Sequence, residues 1–390
     1  MPSTRGAGSA PVVGILGGGQ LARMLTEAAT PLGIQVRVLA APGDEGAGEV
    51  APATVIGDPM DHGDVKSFAG SVDVLTIDHE NISHEALADL EEAGQAVRPG
   101  TATLRYSDKA YQRQAFAAAG LPVPEFVVVD PVAERVVAAE VAAGFASGRH
   151  AGIVAKASRG GYDGRAVWML HADSVGEFVQ GYTGAPLVLE PRLDLACELA
   201  VLVARNPSGE IATWPVLETV QVDGMCDEVV YPAPVDPGIA NTAREVAAEV
   251  AALAGAVGVL AVELFVLDDG AVLVNEIAPR VHNSGHLTIE GSSTSQFEQH
   301  LRAILDWPLG PTDMLEASVA MSNVVGVGET EPRSRHALAL REVPEAHVHL
   351  YGKSPRDRRK IGHVTVLGAD RELVRRRADT ASHILGGGAG

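Results

Sequence analysis

Residues 259–277 read Val-Leu-Ala-Val-Glu263-Leu-Phe-Val-Leu-Asp-Asp269-Gly270-Ala-Val-Leu-Val-Asn-Glu276-Ile. Two runs rich in β-branched and aromatic residues flank Asp269-Gly270, which is the pattern of antiparallel strands joined by a tight hairpin turn. A two-residue turn sets residue 268 opposite 271 and therefore Glu263 opposite Glu276. At a cross-strand separation of roughly 5 Å, two carboxylates repel by about 3 kcal/mol in an effective dielectric near 20. A divalent cation is the natural compensation, so the pair is expected to hold a metal. Beyond Glu276 the chain leaves the strand through Pro279 and gathers Arg280, His282, Asn283 and His286, the layout of an active site.

A length of 390 residues predicts two or three domains. The chain has no apolar run long enough to span a bilayer and no signal-peptide pattern at Met1-Pro-Ser-Thr-Arg, so a cytoplasmic protein without a membrane partner is expected. Cys197 and Cys226 fit neither a metal spacing nor a disulfide framework. The net charge of −20 argues against nucleic acid as a partner. An anionic substrate must then be gathered by a local basic cluster, and residues 353–360 place Lys353, Arg356, Arg358, Arg359 and Lys360 together. A phosphate group is the simplest ligand for them.

Residues 1–108 alternate strand and helix, predicting an α/β unit with a doubly wound parallel sheet whose ligands bind at the carboxyl ends of the strands. Residues 109–307 change to helices and hairpins, with a lid over about 126–186, and 308–390 form a small β-rich unit. The ends, 1–9 and 386–390, are expected to be disordered.

Three further stretches carry chemistry. Gly17, Gly19 and Ala22 form G-x-G-x-x-A after the first strand. They predict a phosphate-bearing substrate at the following helix, with a structural turn or a nicotinamide site as alternatives. The last lacks the acid that would hold a ribose at the end of the second strand. Residues 153–169 join strand to strand through Gly160, Gly161 and Gly164, so they predict a hairpin lid over phosphates, with Lys156 as a point charge. The apolar run ending at Glu190, with Glu198 beyond it, suits an adenosine. His282 and His286 have the spacing of a zinc pair on a helix, but Asn283-Ser284-Gly285 favours a loop there.

A lysine-bearing glycine-rich hairpin, an adenosine segment and a Glu/Glu pair ending in Asn275-Glu276, in this order, resemble the ATP-grasp ligases. The resemblance is closest to the N5-carboxyaminoimidazole ribonucleotide synthase family. It rests on Gly17-Gly-Gly-Gln-Leu21, Arg159-Gly-Gly-Tyr-Asp-Gly-Arg165, the 275–286 run, Ser295-Gln-Phe-Glu298, Tyr351-Gly-Lys353 and Arg359-Lys-Ile-Gly-His363. It implies an ATP-grasp fold between a pre-ATP-grasp domain and a small C-terminal domain, in a homodimeric carbon–nitrogen ligase of purine biosynthesis. The implied reaction forms carboxyphosphate from ATP and bicarbonate, then carboxylates 5-aminoimidazole ribonucleotide. By the same resemblance Lys109, Lys156, Gly160, Gly161, Tyr162, Asp163, Gly164, Glu190, Leu193 and Glu198 bind ATP, and Glu263 and Glu276 bind Mg²⁺. Arg280, His282 and Asn283 surround bicarbonate, and Lys353 joins them as a catalytic residue. The ribonucleotide falls to Gln20, Leu21, Glu80, Tyr162, Asp163, Arg165, Lys353, Arg359 and Lys360.

The chain departs from the family at Asp78-His79, where Glu-Phe is usual, at Lys109, where arginine is, and at Ala157-Ser158 and Pro191. A formate-dependent glycinamide ribonucleotide transformylase shares the phosphate chemistry but not the 275–286 and 351–363 segments. A nicotinamide-dependent oxidoreductase leaves the acid pair and the lid unexplained.

Overall fold

The computed structural model describes residues 9–161 and 166–388. The first unit is a parallel sheet of β1 (Val12–Leu16), β2 (Gln35–Ala40), β3 (Thr54–Ile56), β4 (Val74–Ile77) and β5 (Ala96–Val97), in the order β3-β2-β1-β4-β5. Its central strands β1 and β4 are buried on both faces, which is why they read as apolar runs broken only by Thr76. The order reverses beside β1, so the carboxyl ends of β1 and β4 form the crevice where such sheets bind ligands.

The second unit has two antiparallel sheets. The smaller contains β6 (Val127–Val129), β7 (Ile153–Ala157), β8 (Val167–Leu170) and β9 (Leu187–Pro191), in the order β6-β9-β7-β8. It packs Ala138, Ala142 and Ala146 of the helix Arg135–Ala146 against its own alanines and leucines. The larger contains β10 (Leu195–Arg205), β11 (Ile211–Thr213), β12 (Leu217–Val222), β13 (Met225–Tyr231), β14 (Gly258–Leu267) and β15 (Val272–Ala278). It continues through β13 into β16 (Ser318–Val325), β18 (Lys360–Gly368) and β17 (His347–Leu350). The β-rich C-terminal segment is thus hydrogen-bonded to the central sheet, which carries the 353–360 loop round to the carboxyl ends of the first sheet.

The C-terminus differs from the expected disorder over 386–388. The helix Arg371–Gly386 buries Val374, Ala378, Ala381 and Leu385 on one face, and Gly387 closes it at φ +102°. Residues 1–8 and 389–390 lie outside the described residues.

His286, His300 and His363 are fully buried. Burial lowers His300 from 6.5 to about 3 and the other two well below 6.5, so all three stay neutral. His300 Nδ1 accepts from Val259 N at 3.0 Å, leaving Nε2–H to donate to Thr76 Oγ1 at 2.8 Å. Below pH 6.5 the unfolded chain binds protons at these rings that the native chain does not, so stability falls as pH drops. Glu198 and Glu263, whose pKa values are raised, act in the opposite sense. With His282, which burial likewise lowers to about 3, four such rings stand against these two acids between about pH 6.5 and 5. The urea midpoint is expected to be lower at pH 5.5 than at pH 7.5, and His300→Gln should flatten that slope by about 1 kcal/mol per pH unit. An unchanged slope in the variant would show that His300 titrates normally.

Candidate active site

The acid pair forms by a route that differs from the expected one. Leu267 N donates to Ala271 O at 2.9 Å and Gly270 N to Leu267 O at 2.9 Å, so the turn holds three residues with Gly270 at φ +85°. A glycine in the left-handed region at the third turn position selects this longer loop. The register therefore starts one residue away from the expected one, with Val266 opposite Val272. A bulge at Asn275 then inserts one unpaired residue, and Glu263 faces Glu276 after all. The two carboxylates share one face of the sheet. Lys109 pairs with Glu276, and its charge also lowers the pKa of Glu263, which burial raises.

The bulge also aims Asn275 at β7, where its Oδ1 accepts from Lys156 Nζ at 2.9 Å. Lys156 lies 2.8 Å from Glu190 Oε2, and Glu190 Oε1 is paired with Arg113. Arg113 also donates to Val274 O at 2.5 Å and Asn275 O at 2.9 Å, fixing both carbonyls at the bulge. The sequence-based reading missed Arg113. It stands one turn after Lys109 on the helix Lys109–Ala118, capped by Asp108, so the i,i+4 spacing was the available signal. Burial, and then repulsion by Lys156, lower Lys109 to about 8.

Glu198 and Glu263 lie on the same face of adjacent strands, since Glu198 pairs with Phe265 and Ala200 with Glu263. Burial, and then the charge of Glu263, push Glu198 up to about 7. Phe265 supports the ammonium of Lys156 at 5.6 Å from its ring centre. Leu193 lies in the short link between β9 and β10. Gly160 adopts φ +79° beside Gly161 after β7, while Tyr162, Asp163, Gly164 and Arg165 lie outside the described residues.

The 280–286 loop closes the other side. Arg280 Nε lies 3.0 Å from Glu80 Oε1 at the end of β4, and His282 Nε2 is 3.5 Å from Glu263 Oε1. Burial lowers His282 to about 3. Asn283 begins a single 3₁₀ turn, so His282 and His286 are not on one helix face. Gln296 accepts from His282 N at 2.9 Å and donates to His282 O at 2.7 Å, clamping the loop. Gly285 is needed there because a Cβ would sit 2.3 Å from Gln296 Oε1.

The glycine turn after β1 does not offer the expected phosphate cradle. Asp78 accepts from Gly19 N at 2.9 Å and Ala22 N at 2.8 Å, and Asp44 accepts from Gly18 N at 3.0 Å. The protein's own carboxylates thus take the N–H groups of Gly18, Gly19 and Ala22, and the glycines make room for Asp78, Ala40 and His79. Gln20 Oε1 accepts from Lys353 Nζ, with Leu21 buried beside it. In the basic cluster Lys353 and Arg359 turn inward while Arg356 and Arg358 are exposed. Lys360 is buried, and its charge acts on Glu263 and His282.

The chain matches the ribonucleotide synthetase preATP-grasp domain over residues 11–108, the ATP-grasp domain over 114–297 and the phosphoribosylaminoimidazole carboxylase C-terminal domain over 319–377. It is 46% identical over 391 residues to N5-carboxyaminoimidazole ribonucleotide synthase of Mycobacterium tuberculosis, covering 97% of this chain and 89% of that protein. The same enzyme of Bacillus subtilis is 32% identical over 362 residues, covering 91% of each. The crystal structure of carboxyaminoimidazole ribonucleotide synthase from Aspergillus clavatus complexed with ATP is similar at a TM-score of 0.86 and 32% identity, over 96% of this chain and 98% of that one. The Aspergillus clavatus complex with ADP and 5-aminoimidazole ribonucleotide has a TM-score of 0.86 and 30% identity over the same shares. The preATP-grasp, ATP-grasp and C-terminal domains follow in order along nearly the whole length, and the chain belongs to the N5-carboxyaminoimidazole ribonucleotide synthase family of ATP-grasp enzymes.

Proposed function

We propose that the chain uses ATP to carboxylate the exocyclic amine of 5-aminoimidazole ribonucleotide with bicarbonate, in purine biosynthesis. The convergence of Lys109, Lys156, Glu198, Glu263 and Glu276 on one face of β10, β14, β15 and the lid strand β7 carries this assignment. In phosphoryl transfer a protein mainly positions reactants and neutralises charge. Lys109 and Lys156 draw in the ATP phosphates, while Leu193, Glu198 and the end of β9 at Glu190 line the adenosine.

Among the described residues no three His, Cys, Asp or Glu side chains form a ready metal cage. Glu263 and Glu276 fit Mg²⁺ as hard oxygen donors that leave its other positions to phosphate and water. When bound, the ion neutralises charge on the transferred phosphoryl group. Arg280 and Asn283 orient bicarbonate beside neutral His282. A bicarbonate oxygen attacks the γ-phosphorus as ADP leaves, giving carboxyphosphate. The amine then bonds to the carboxyl carbon, phosphate departs, and the nitrogen loses a proton. Carboxyphosphate must meet the amine before water, which the lid around Gly160 and Gly161 serves by closing.

Gln20, Glu80, Lys353 and Arg359 hold the ribonucleotide where the first sheet meets the 353–360 loop. Lys360 faces the bicarbonate side. The units 1–108, 109–307 and 308–390 supply ribonucleotide contacts, ATP chemistry and the basic loop, in a homodimer. No described helix is long and apolar enough to cross a membrane.

Phosphate release from Mg-ATP is expected to require both bicarbonate and 5-aminoimidazole ribonucleotide. Equal release with formate and glycinamide ribonucleotide would overturn the assignment.

A further inference from the structure

Glu45 lies on the loop between β2 and β3, between Gly43 at φ +91° and Gly46 at φ +130°. Its carboxylate reaches across to the basic loop. It accepts from Ser354 N at 3.0 Å and Ser354 Oγ at 2.7 Å, and pairs with Arg359 at 2.6 Å. A backbone N–H, a hydroxyl and a guanidinium are the donor types that recognise a phosphate group. The hydroxyl of Ser354 is the main cause that holds the pKa of Glu45 down to about 2, so the group is an anion throughout the neutral range. A cavity of about 160 Å³ opens beside these donors, lined by Lys353, Ser354, Arg333 and Glu49.

We propose that Glu45 is a built-in competitor for the phosphate of the ribonucleotide, occupying Ser354 and Arg359 until a dianionic phosphate displaces it. This rests on the ribonucleotide site proposed above. Two anions cannot share these donors without repulsion, and a phosphate brings more charge and more acceptor oxygens than a carboxylate. Both partners are about a quarter exposed, at 26% for Glu45 and 28% for Arg359, so the clasp is weak enough to exchange. The neighbouring Asp44 keeps the loop anchored when Glu45 lets go, through Gly18 N and Ala41 N. Glu45 therefore sets ribonucleotide affinity without touching ATP.

The test uses the full chain with Glu45→Gln, and Glu45→Ala as a second variant. In both, the KM for 5-aminoimidazole ribonucleotide should fall about 5-fold, the value of one part-exposed ion pair. Ribose 5-phosphate, which carries the phosphate without the imidazole, should inhibit at a correspondingly lower concentration. The ATP KM and kcat should not change. A ribonucleotide KM that is unchanged or rises would overturn the proposal, the rise assigning Glu45 to positioning Arg359. Phosphate release by the wild type that ignores the ribonucleotide would instead refute the functional assignment, before any variant is compared.

Discussion

Glu276→Gln lowers turnover about 100-fold or more while the far-ultraviolet circular dichroism stays that of the wild type. The amide keeps the shape and one acceptor oxygen but loses the charge that faces Glu263 across the hairpin. Removing one well-placed electrostatic contact from a phosphoryl- or acyl-transfer site costs about 3 kcal/mol of transition-state stabilisation, which is the stated fold-change. The variant also frees Lys109, whose ammonium is paired with Glu276. That ammonium remains available to ATP, so the loss should fall on kcat more than on the KM for ATP. Wild-type turnover in the variant would remove Glu276 from the metal site. A loss confined to the KM would make it a binding residue only.

Arg113→Met should destabilise the chain by roughly 3–5 kcal/mol in urea unfolding, because it strips one partner from a buried ion pair. Arg113 and Glu190 are 3% and 2% exposed, and the guanidinium also serves the carbonyls of Val274 and Asn275. Glu190 would be left with Lys156 alone, and the bulge would lose its anchor. Adding Glu190→Gln to the variant removes the under-compensated charge and should recover part of the lost stability. The ATP KM should rise in the single variant, since Lys156 is held from both sides by groups that Arg113 fixes. Stability within about 1 kcal/mol of wild type would show that the pair contributes little.

Much of the site was legible because its chemistry is written in contiguous segments. Glycine placement marks the β7–β8 hairpin, β-branched runs mark β14 and β15, and Pro279 marks where the strand ends. The facing pair Glu263 and Glu276 was reached from an expected two-residue turn. The structure reaches it through a three-residue turn and a compensating bulge at Asn275. Turn length follows Gly270 in the left-handed region, while the carbonyls at the bulge are held by Arg113 far upstream, so the bulge is not specified by the hairpin alone. The C-terminal helix was missed although Val374, Ala378, Ala381 and Leu385 repeat at helical spacing, because the strands before it dominated the segment.

The sequence by itself determined which charged groups exist, their order along the chain and the local elements that carry them, since turn and strand preferences act between near neighbours. The tertiary structure alone decided how those charges pair. It gave the N–H groups of Gly18 and Gly19 to Asp44 and Asp78, buried Lys360 within electrostatic reach of Glu263, set Glu45 on Ser354 and Arg359, and buried Arg113 against Glu190. Each of these joins residues distant in sequence. Burial strengthens electrostatic interactions and makes an unpaired polar group costly, so the packed chain selects partners that local preference cannot specify.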